Sequence, residues 1–319
     1  MIEGQPVVLV TGASGFIGRH LTPMLESAGW IVRQVLRTTP TRPGDVLIPS
    51  IGSTTDWRGA LVGVDAVVHL AARVHVTEAN QSTDLYEDTN VAGTLNLARS
   101  ASAAGVRQFV FVSTVLVNGR SSDGLDPFSE SDETRPRNIY ARSKAAAETG
   151  LAELVRDDGM PITVIRPPMV YGAGAKGNFR MLMQAIGYGI PLPLAAIHNR
   201  RAFVSVQNLA SFILSRLSRS ERNYDVFLVA DNEQVSTPEF IRRLAGAAEM
   251  RAHLFPIPTP LLDMLLKFSG RPETRESIIG SLELDLSKAL ATGWSPPLSL
   301  DEGLRLATKG PLLTEAPQA

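Results

Sequence analysis

The sequence predicts an α/β protein, a doubly wound parallel sheet with helices on both faces, followed by a smaller α+β domain. Three observations carry that prediction. Short apolar runs bounded by turn residues recur through the first half, and segments of helical length and periodicity separate them. Beyond about residue 170 this alternation gives way to apolar pieces broken by glycine and proline.

Val7–Thr11 is a nearly continuous apolar run ending at Gly12, the pattern of a strand buried on both faces. Ile17, Leu21, Met24, Leu25 and Ala28 follow at helical spacing, and Gly29 supplies a stop. Ile31–Leu36 reads as a second strand, residues 46–48 as a third, and residues 56–62 as a helix with Asp56 as its cap. Residues 65–70 give another buried strand, 83–104 a long helix ending at Gly105, and 109–113 the next strand. A long helix over 138–157, closed by Gly159, precedes a strand at Ile162–Arg166. After the interrupted stretch 173–201 come a helix at Val206–Leu217, a strand at 226–230 and a helix at 238–248. This places 1–172 in the first domain, with 203–230 returning to it, and 173–202 with 231–313 in the second; 314–319 is a frayed tail.

The length of 319 residues suits two domains of about 150 residues each. Lys+Arg number 31 and Asp+Glu 32, a net charge of −1, which argues against a nucleic-acid or membrane-surface partner bound through bulk charge. The chain has no cysteine, which excludes disulfides, thiolate metal sites and cysteine nucleophiles. Its five histidines (His20, His69, His75, His198, His253) lack ligand spacing, so no metal is expected. The amino terminus has no signal-like run and no stretch reaches the roughly eighteen apolar residues of a membrane span. A cytoplasmic protein without membrane insertion is expected.

Gly12-Ala-Ser-Gly15-Phe-Ile-Gly18 lies between the first strand and first helix. Gly12 permits the sharp turn, Gly15 lets backbone N–H groups approach a pyrophosphate, and Gly18 allows tight helix–strand contact. At the first βα turn of such a chain the motif reads as a Rossmann-like dinucleotide cradle, with Ser14, Phe16 and Ile17 completing it. An acidic residue about 20 positions on would take the ribose 2′-hydroxyl of NAD. Nineteen residues after Gly18 stands Arg37 instead, with no Asp or Glu between Gly29 and Asp45. Arg37, helped by Arg33 or Arg19, suits a 2′-phosphate, or else is a solvated surface arginine; NADP is modestly favoured over NAD.

Tyr140-Ala-Arg-Ser-Lys144 opens a predicted helix, and the i, i+4 spacing puts both side chains on one face. A tyrosine of ordinary pKa near 10 is a poor base, and a neighbouring ammonium favours its phenolate, as does a cofactor pyridinium while it is oxidised. Tyr140 then exchanges the proton of a substrate hydroxyl while Thr114, just past a strand end, hydrogen-bonds the same oxygen. A Tyr and Lys four apart are common by chance; the glycine turn, the Ser-Thr strand end and the pair arriving in this order are not.

These residues resemble the extended short-chain dehydrogenase/reductase family, in particular its NAD-dependent epimerase/dehydratase branch, over nearly the whole chain. The resemblance assigns Thr114, Tyr140 and Lys144 to catalysis. It adds to the cofactor shell Ser50, Ile51, Leu70, Ala71 and Ala72 (in V-V-H-L-A-A, 67–72), Asn90, Ser113, and Pro167 and Val170 in R-P-P-M-V-Y-G. It also makes the second domain a substrate domain, in which Asn178, Leu192, Arg201 and Arg275 hold a UDP-sugar. Two arginine forks suit a diphosphate, although each also reads as a surface charge. K-G-N-F, P-L-P-L and N-R-R-A-F-V-S-V are similar to bacterial polysaccharide-pathway members of the UDP-glucose 4-epimerase-like group. That group includes 4-ketoreductases forming UDP-N-acetylquinovosamine. Dehydratases of the branch follow the catalytic Thr with Asp-Glu, whereas Thr114 is followed by Val115 and Leu116, so dehydration is disfavoured. Transfer at carbon 4 of a UDP-hexose or UDP-4-keto-6-deoxy-N-acetylhexosamine is expected, by an epimerase or a reductase, Arg37 leaning to the reductase. The alternatives are an NADPH-dependent ketone reductase of a non-nucleotide molecule and a non-catalytic dinucleotide-sensing protein. By the same resemblance the two long helices form the contact of a homodimer.

Overall fold

The structure, a computed structural model, describes residues 4–40, 42–74, 83–218, 224–268 and 272–309. His75 and the tail at 314–319 lie outside them. In chain order the elements begin with β1 (Val7–Thr11), α1 (Phe16–Ser27), β2 (Ile31–Leu36), β3 (Val46–Leu47) and β4 (Ala66–His69). A helical run follows: α2 (Thr83–Tyr86), a π-helical stretch (Glu87–Ala92) and α3 (Gly93–Ala103). Next come β5 (Gln108–Val112), a 3₁₀ turn (Val115–Val117), α4 (Ile139–Asp158), β6 (Ile162–Arg166) and β7 (Met169–Tyr171). The remainder comprises α5 (Asn178–Gly187), β8 (Phe203–Ser205), α6 (Val206–Leu217), β9 (Tyr224–Leu228) and α7 (Thr237–Ala247). It closes with α8 (Thr259–Phe268), α9 (Pro272–Ile279), α10 (Ser287–Ala291) and α11 (Leu300–Thr308).

The chain divides into two compact units, 1–119 with 133–167 and 210–228, and 120–132 with 168–209 and 229–319. In the first, seven strands pair in parallel in the order β3-β2-β1-β4-β5-β6-β9, the Rossmann-like doubly wound arrangement. β5 and β6 are buried at every residue, as continuous apolar strands covered on both faces must be. Val35, Trp57, Val67, Leu97, Phe109, Phe111, Leu151 and Val164 form part of one core cluster. Strand order reverses between β1 and β4, where Thr11 pairs with His69. The residues after both strands therefore line the crevice at which doubly wound sheets bind ligands.

Two expected helices differ. Residues 56–62 form turns rather than a helix. Asp56 accepts from the backbone N–H of Arg58, and Gly63 at φ +67° ends the run before a helix can propagate. Trp57, Ala60 and Leu61 are buried, so the apolar spacing there served packing only. The helix expected over 83–104 carries the π-helical stretch at Glu87–Ala92, centred near Asn90. Such widened turns recur at functional sites. Asn138 caps α4 by accepting from the Ala141 N–H at 2.7 Å, and Gly159 ends that helix at φ +67°.

In the second unit β7 and β8 pair in parallel. The Tyr171 hydroxyl donates to Asp231 at 2.6 Å, and Asp231 also accepts from Asn208 Nδ2 at 2.6 Å. Phe203 stacks on Phe240 of α7 with ring centroids 4.0 Å apart. Residues 120–132, placed by the sequence inside the first domain, join this unit. Ser122 N–H donates to Ser281 O, and Phe128 N–H to Glu283 O. Among the described residues, five helices that the sequence pattern does not announce (α5, α8, α9, α10 and α11) lie here, among the glycines and prolines that obscure their periodicity.

Candidate active site

The glycine turn is held by backbone proximity. A Cβ on Gly12, which sits at φ +70°, would lie 2.9 Å from Ala71 N, and one on Gly18 would lie 2.4 Å from Gly12 O. No side chain caps α1, whose N-cap residue is Gly15. The first N–H groups of α1, beginning with Phe16 and Ile17, thus remain available to an anion, as a pyrophosphate requires. Ser14 is exposed beside them, and Leu70 N–H bonds back to Thr11 O at 3.2 Å. These residues fit a dinucleotide.

His69 ties this crevice to the helical layer. Thr94 Oγ1 donates to Asn90 O at 2.7 Å, so it accepts from His69 Nε2 at 3.0 Å. His69 Nδ1 then accepts from Thr11 Oγ1 at 2.6 Å, and Thr11 Oγ1 in turn accepts from Ala71 N–H at 3.3 Å. Burial, then the Lys144 charge, push the imidazole down to about 3, so it stays neutral. Asn90, expected in the cofactor shell, has its amide committed to protein groups. It accepts from Arg73 N–H at 2.8 Å and donates to Arg73 O and to Ser143 Oγ, both at 3.0 Å. Ser143 Oγ donates to Tyr140 O at 2.8 Å. Ile51 packs against the core, where a Cβ on Gly93 would meet it at 2.9 Å; Ser50 is exposed and its carbonyl accepts from Thr55.

Thr114 begins the 3₁₀ turn in extended geometry and accepts from Leu116 N–H at 3.3 Å. α4 packs against that turn and against β6, which brings the Tyr140–Lys144 face to the end of β5. Lys144 is 1% exposed, donates from Nζ to Val112 O at 2.8 Å, and lies 4.2 Å over the Phe111 ring. Burial pushes it down to about 7, with Glu148 opposing. The expectation that the ammonium lowers the Tyr140 phenol needs correction. Burial and then Tyr86 push that phenol up to about 12, while the Lys144 ammonium is turned to the Val112 carbonyl. The protein alone therefore leaves Tyr140 protonated, and ionising it at neutral pH requires a further positive charge in the crevice.

Glu148, one turn beyond Lys144, was missed in the sequence although it continues the i, i+4 series. Ser113 Oγ donates to it at 2.5 Å, and Arg166 grips it through Nε at 3.1 Å and a second nitrogen at 2.5 Å. Pro167 O accepts from Val115 N–H at 3.0 Å.

Arg37 is exposed just past β2 and makes no hydrogen bond or ion pair among the described residues. Arg33, a candidate helper, is committed to Ala60 O and Val62 O, both at 2.7 Å, which removes it from that role. Arg19 and Arg42 line a cavity of about 170 Å³ beside the glycine turn, together with Ser14, Thr22 and Gln34.

In the second unit Val170 is half-buried in β7. Asn178 is exposed at the start of α5, and Leu192 N–H donates to His253 O at 2.8 Å. Arg201 donates to Gly280 O at 2.5 Å and Glu276 O at 3.2 Å; burial lowers it to about 10. Arg275 pairs with Asp263, which also holds Lys267 at 2.8 Å. Neither arginine presents a free guanidinium. Among the described residues no His/Cys/Asp/Glu group is placed to hold a metal, and no helix is long and apolar enough to cross a membrane.

The model of the NAD dependent epimerase/dehydratase family matches residues 8–230. A UDP-glucose 4-epimerase of Vibrio cholerae is 36% identical over 305 residues, 93% of each chain. The UDP-glucose 4-epimerase of Thermus thermophilus, solved with NAD, superposes with a TM-score of 0.71 at 25% identity, covering 95% of this chain and 97% of its own. RMD of Pseudomonas aeruginosa, solved with NADPH, gives 0.70 at 26% identity, covering 95% and 98%.

Proposed function

The chain belongs to the NAD dependent epimerase/dehydratase family, and on that premise we propose that it inverts carbon 4 of a UDP-hexose or UDP-N-acetylhexosamine. It is an enzyme of the short-chain type that uses NAD or NADP. The observation that supports the reading is that Lys144 bonds Val112 O at the end of β5, two residues before Thr114, with Tyr140 one turn earlier on the same helix. A dinucleotide held at the Gly12–Gly18 turn and the N-terminus of α1 would supply hydride exchange at the sugar carbon. Tyr140 exchanges the proton of the carbon-4 hydroxyl, and Thr114 orients that oxygen. Lys144 holds the Val112 carbonyl at the end of β5, and the phenol ionises only with a further positive charge in the crevice, which an oxidised nicotinamide would supply. Val115 and Leu116 supply no acid or base for loss of water, which supports transfer without dehydration. Arg201 and Arg275 meet the diphosphate after exchanging their present partners for it, and Asn178 and Leu192 flank the nucleotide. A role in polysaccharide precursor synthesis and a homodimer through the α2–α3 run and α4 belong to the same reading.

A second reading, a 4-ketoreductase that consumes NADPH, is favoured by Arg37, which has no partner among the described residues, standing exposed just past β2. One experiment separates the two. With a panel of UDP-hexoses and substoichiometric NAD, the epimerase reading expects 4-epimers by NMR without lasting absorbance change in the reduced-nicotinamide band. Stoichiometric loss of NADPH on a UDP-4-keto sugar, with no epimer formed, selects the reductase.

A further inference from the structure

We propose that Glu148, held by Arg166, is a positioning residue that fixes Lys144 and the Ser113–Thr114 strand end against each other for proton transfer. Both members of the pair have side chains only 5% exposed. A buried ion pair of this kind is a poor stabiliser relative to well-packed apolar residues, so its presence here asks for another account. The geometry supplies one. Lys144 and Glu148 occupy successive turns of one face of α4, and they bond successive residues of the chain, Val112 O at 2.8 Å and Ser113 Oγ at 2.5 Å. The next residue is Thr114. Two bonds one turn apart therefore set both the height and the rotation of α4, and of Tyr140 on it, relative to the Thr114 hydroxyl.

Arg166 locks the carboxylate from the third side. Its Nε lies 3.2 and 3.1 Å from the two oxygens, and another of its nitrogens donates to Asn118 Oδ1 at 2.9 Å, just past the 3₁₀ turn that Thr114 opens. Tyr224 OH donates to Glu148 O at 3.0 Å, which ties the same turn of α4 to β9. The groups facing Lys144 are thus the neutral His69, the Phe111 ring, the Val112 carbonyl and Glu148. Glu148 raises the Lys144 pKa against the burial that lowers it, so the carboxylate also helps keep the ammonium charged.

The proposal rests on the Tyr140 chemistry above, and its test includes a readout that needs no substrate. Glu148→Gln keeps the shape and removes the charge. Its Lys144 signal, followed by NMR in protein carrying ¹³C-lysine and assigned with Lys144→Met, is expected to titrate at lower pH than in the unsubstituted enzyme. On the nucleotide-sugar substrate, kcat is expected to fall by about tenfold to a hundredfold, as for a small misplacement of reacting groups, with KM within about twofold. The alkaline limb of its pH profile should move to lower pH, and Glu148→Asp should recover the limb. If Glu148→Gln does not fold, Ser113→Ala tests the same link with the ion pair intact and is expected to lower kcat severalfold at unchanged KM. A folded Glu148→Gln with an unshifted Lys144 titration overturns the proposal, as does either variant with full kcat and only a lower Tm. Absence of turnover in the unsubstituted enzyme, with the Lys144 titration shifted as expected, overturns the functional reading instead.

Discussion

The two units hold their functional side chains in different ways. In the first, Lys144, Ser113 and Glu148 are 1, 3 and 4% exposed, and each polar end meets a named neighbour. In the second, the Arg275 side chain is 38% exposed in a pair with Asp263, and Arg201 gives its guanidinium to two backbone carbonyls. Proton transfer demands geometry fixed before the substrate arrives, and burial with full hydrogen bonding provides it. The diphosphate grip proposed for these arginines demands charge and reach, and a solvent-screened surface ion pair contributes little and is readily exchanged for a ligand oxygen. On the proposed function, the difference teaches that the groups assigned to proton transfer are fixed in the interior of one unit, whereas those assigned to the substrate in the other must first trade their present contacts.

The largest effect that would sharpen this contrast falls on the rigid side. Gly18→Val forces a side chain against Gly12 O and the Ala13 backbone, so cofactor binding, read by fluorescence titration, should be lost. Lys144→Met should lower kcat by about 10²–10⁴-fold, as for loss of a group that supports acid–base catalysis. The same substitution should raise Tm. The folded Lys144 titrates near 7 against an ordinary 10.5, so the native protein loses stability as pH falls from 10.5 to 7. The gain in Tm should therefore be full at pH 7 and below, and shrink toward pH 10.5; calorimetry across that window checks the sign.

Smaller effects are expected at Arg37 and at the two arginines of the second unit. Arg37→Ala should weaken NADP by about tenfold to a hundredfold, as for a lost charge-assisted contact, and leave NAD unchanged; parallel titrations decide it. Arg201→Ala should raise the KM for the UDP-sugar by about tenfold, and Arg275→Ala by less than about threefold, because the latter must first leave Asp263. Equal and large effects at both would break the contrast, since they would mark the second unit as preorganised too.

The same physics explains what the sequence disclosed. Strands buried on both faces leave uninterrupted apolar runs, so β1, β2 and β6 were read at their observed bounds. Gly12 and Gly18 were legible because backbone approach permits no Cβ there. α5 and the helices after α7 were lost among glycines and prolines, and the 56–62 turns imitated a helix by burying Trp57, Ala60 and Leu61 at helical spacing. In the candidate site, spacing alone singles out Tyr140 and Lys144, and Glu148 continues the same i, i+4 series. Its partners Ser113 and Arg166 lie 35 and 18 residues away in the chain, contacts that no local pattern encodes. The weak effect of the Lys144 ammonium on Tyr140 is hidden from the sequence for a related reason: burial and a backbone carbonyl that captures the ammonium are properties of the folded site.

The measurement that bears most directly on the account is Tyr140→Phe, which removes one hydroxyl and leaves the ring. The account predicts that kcat on the UDP-hexose falls by about 10²–10⁴-fold while dinucleotide affinity, read by the same titration, stays unchanged. Full turnover in the Phe variant would contradict it.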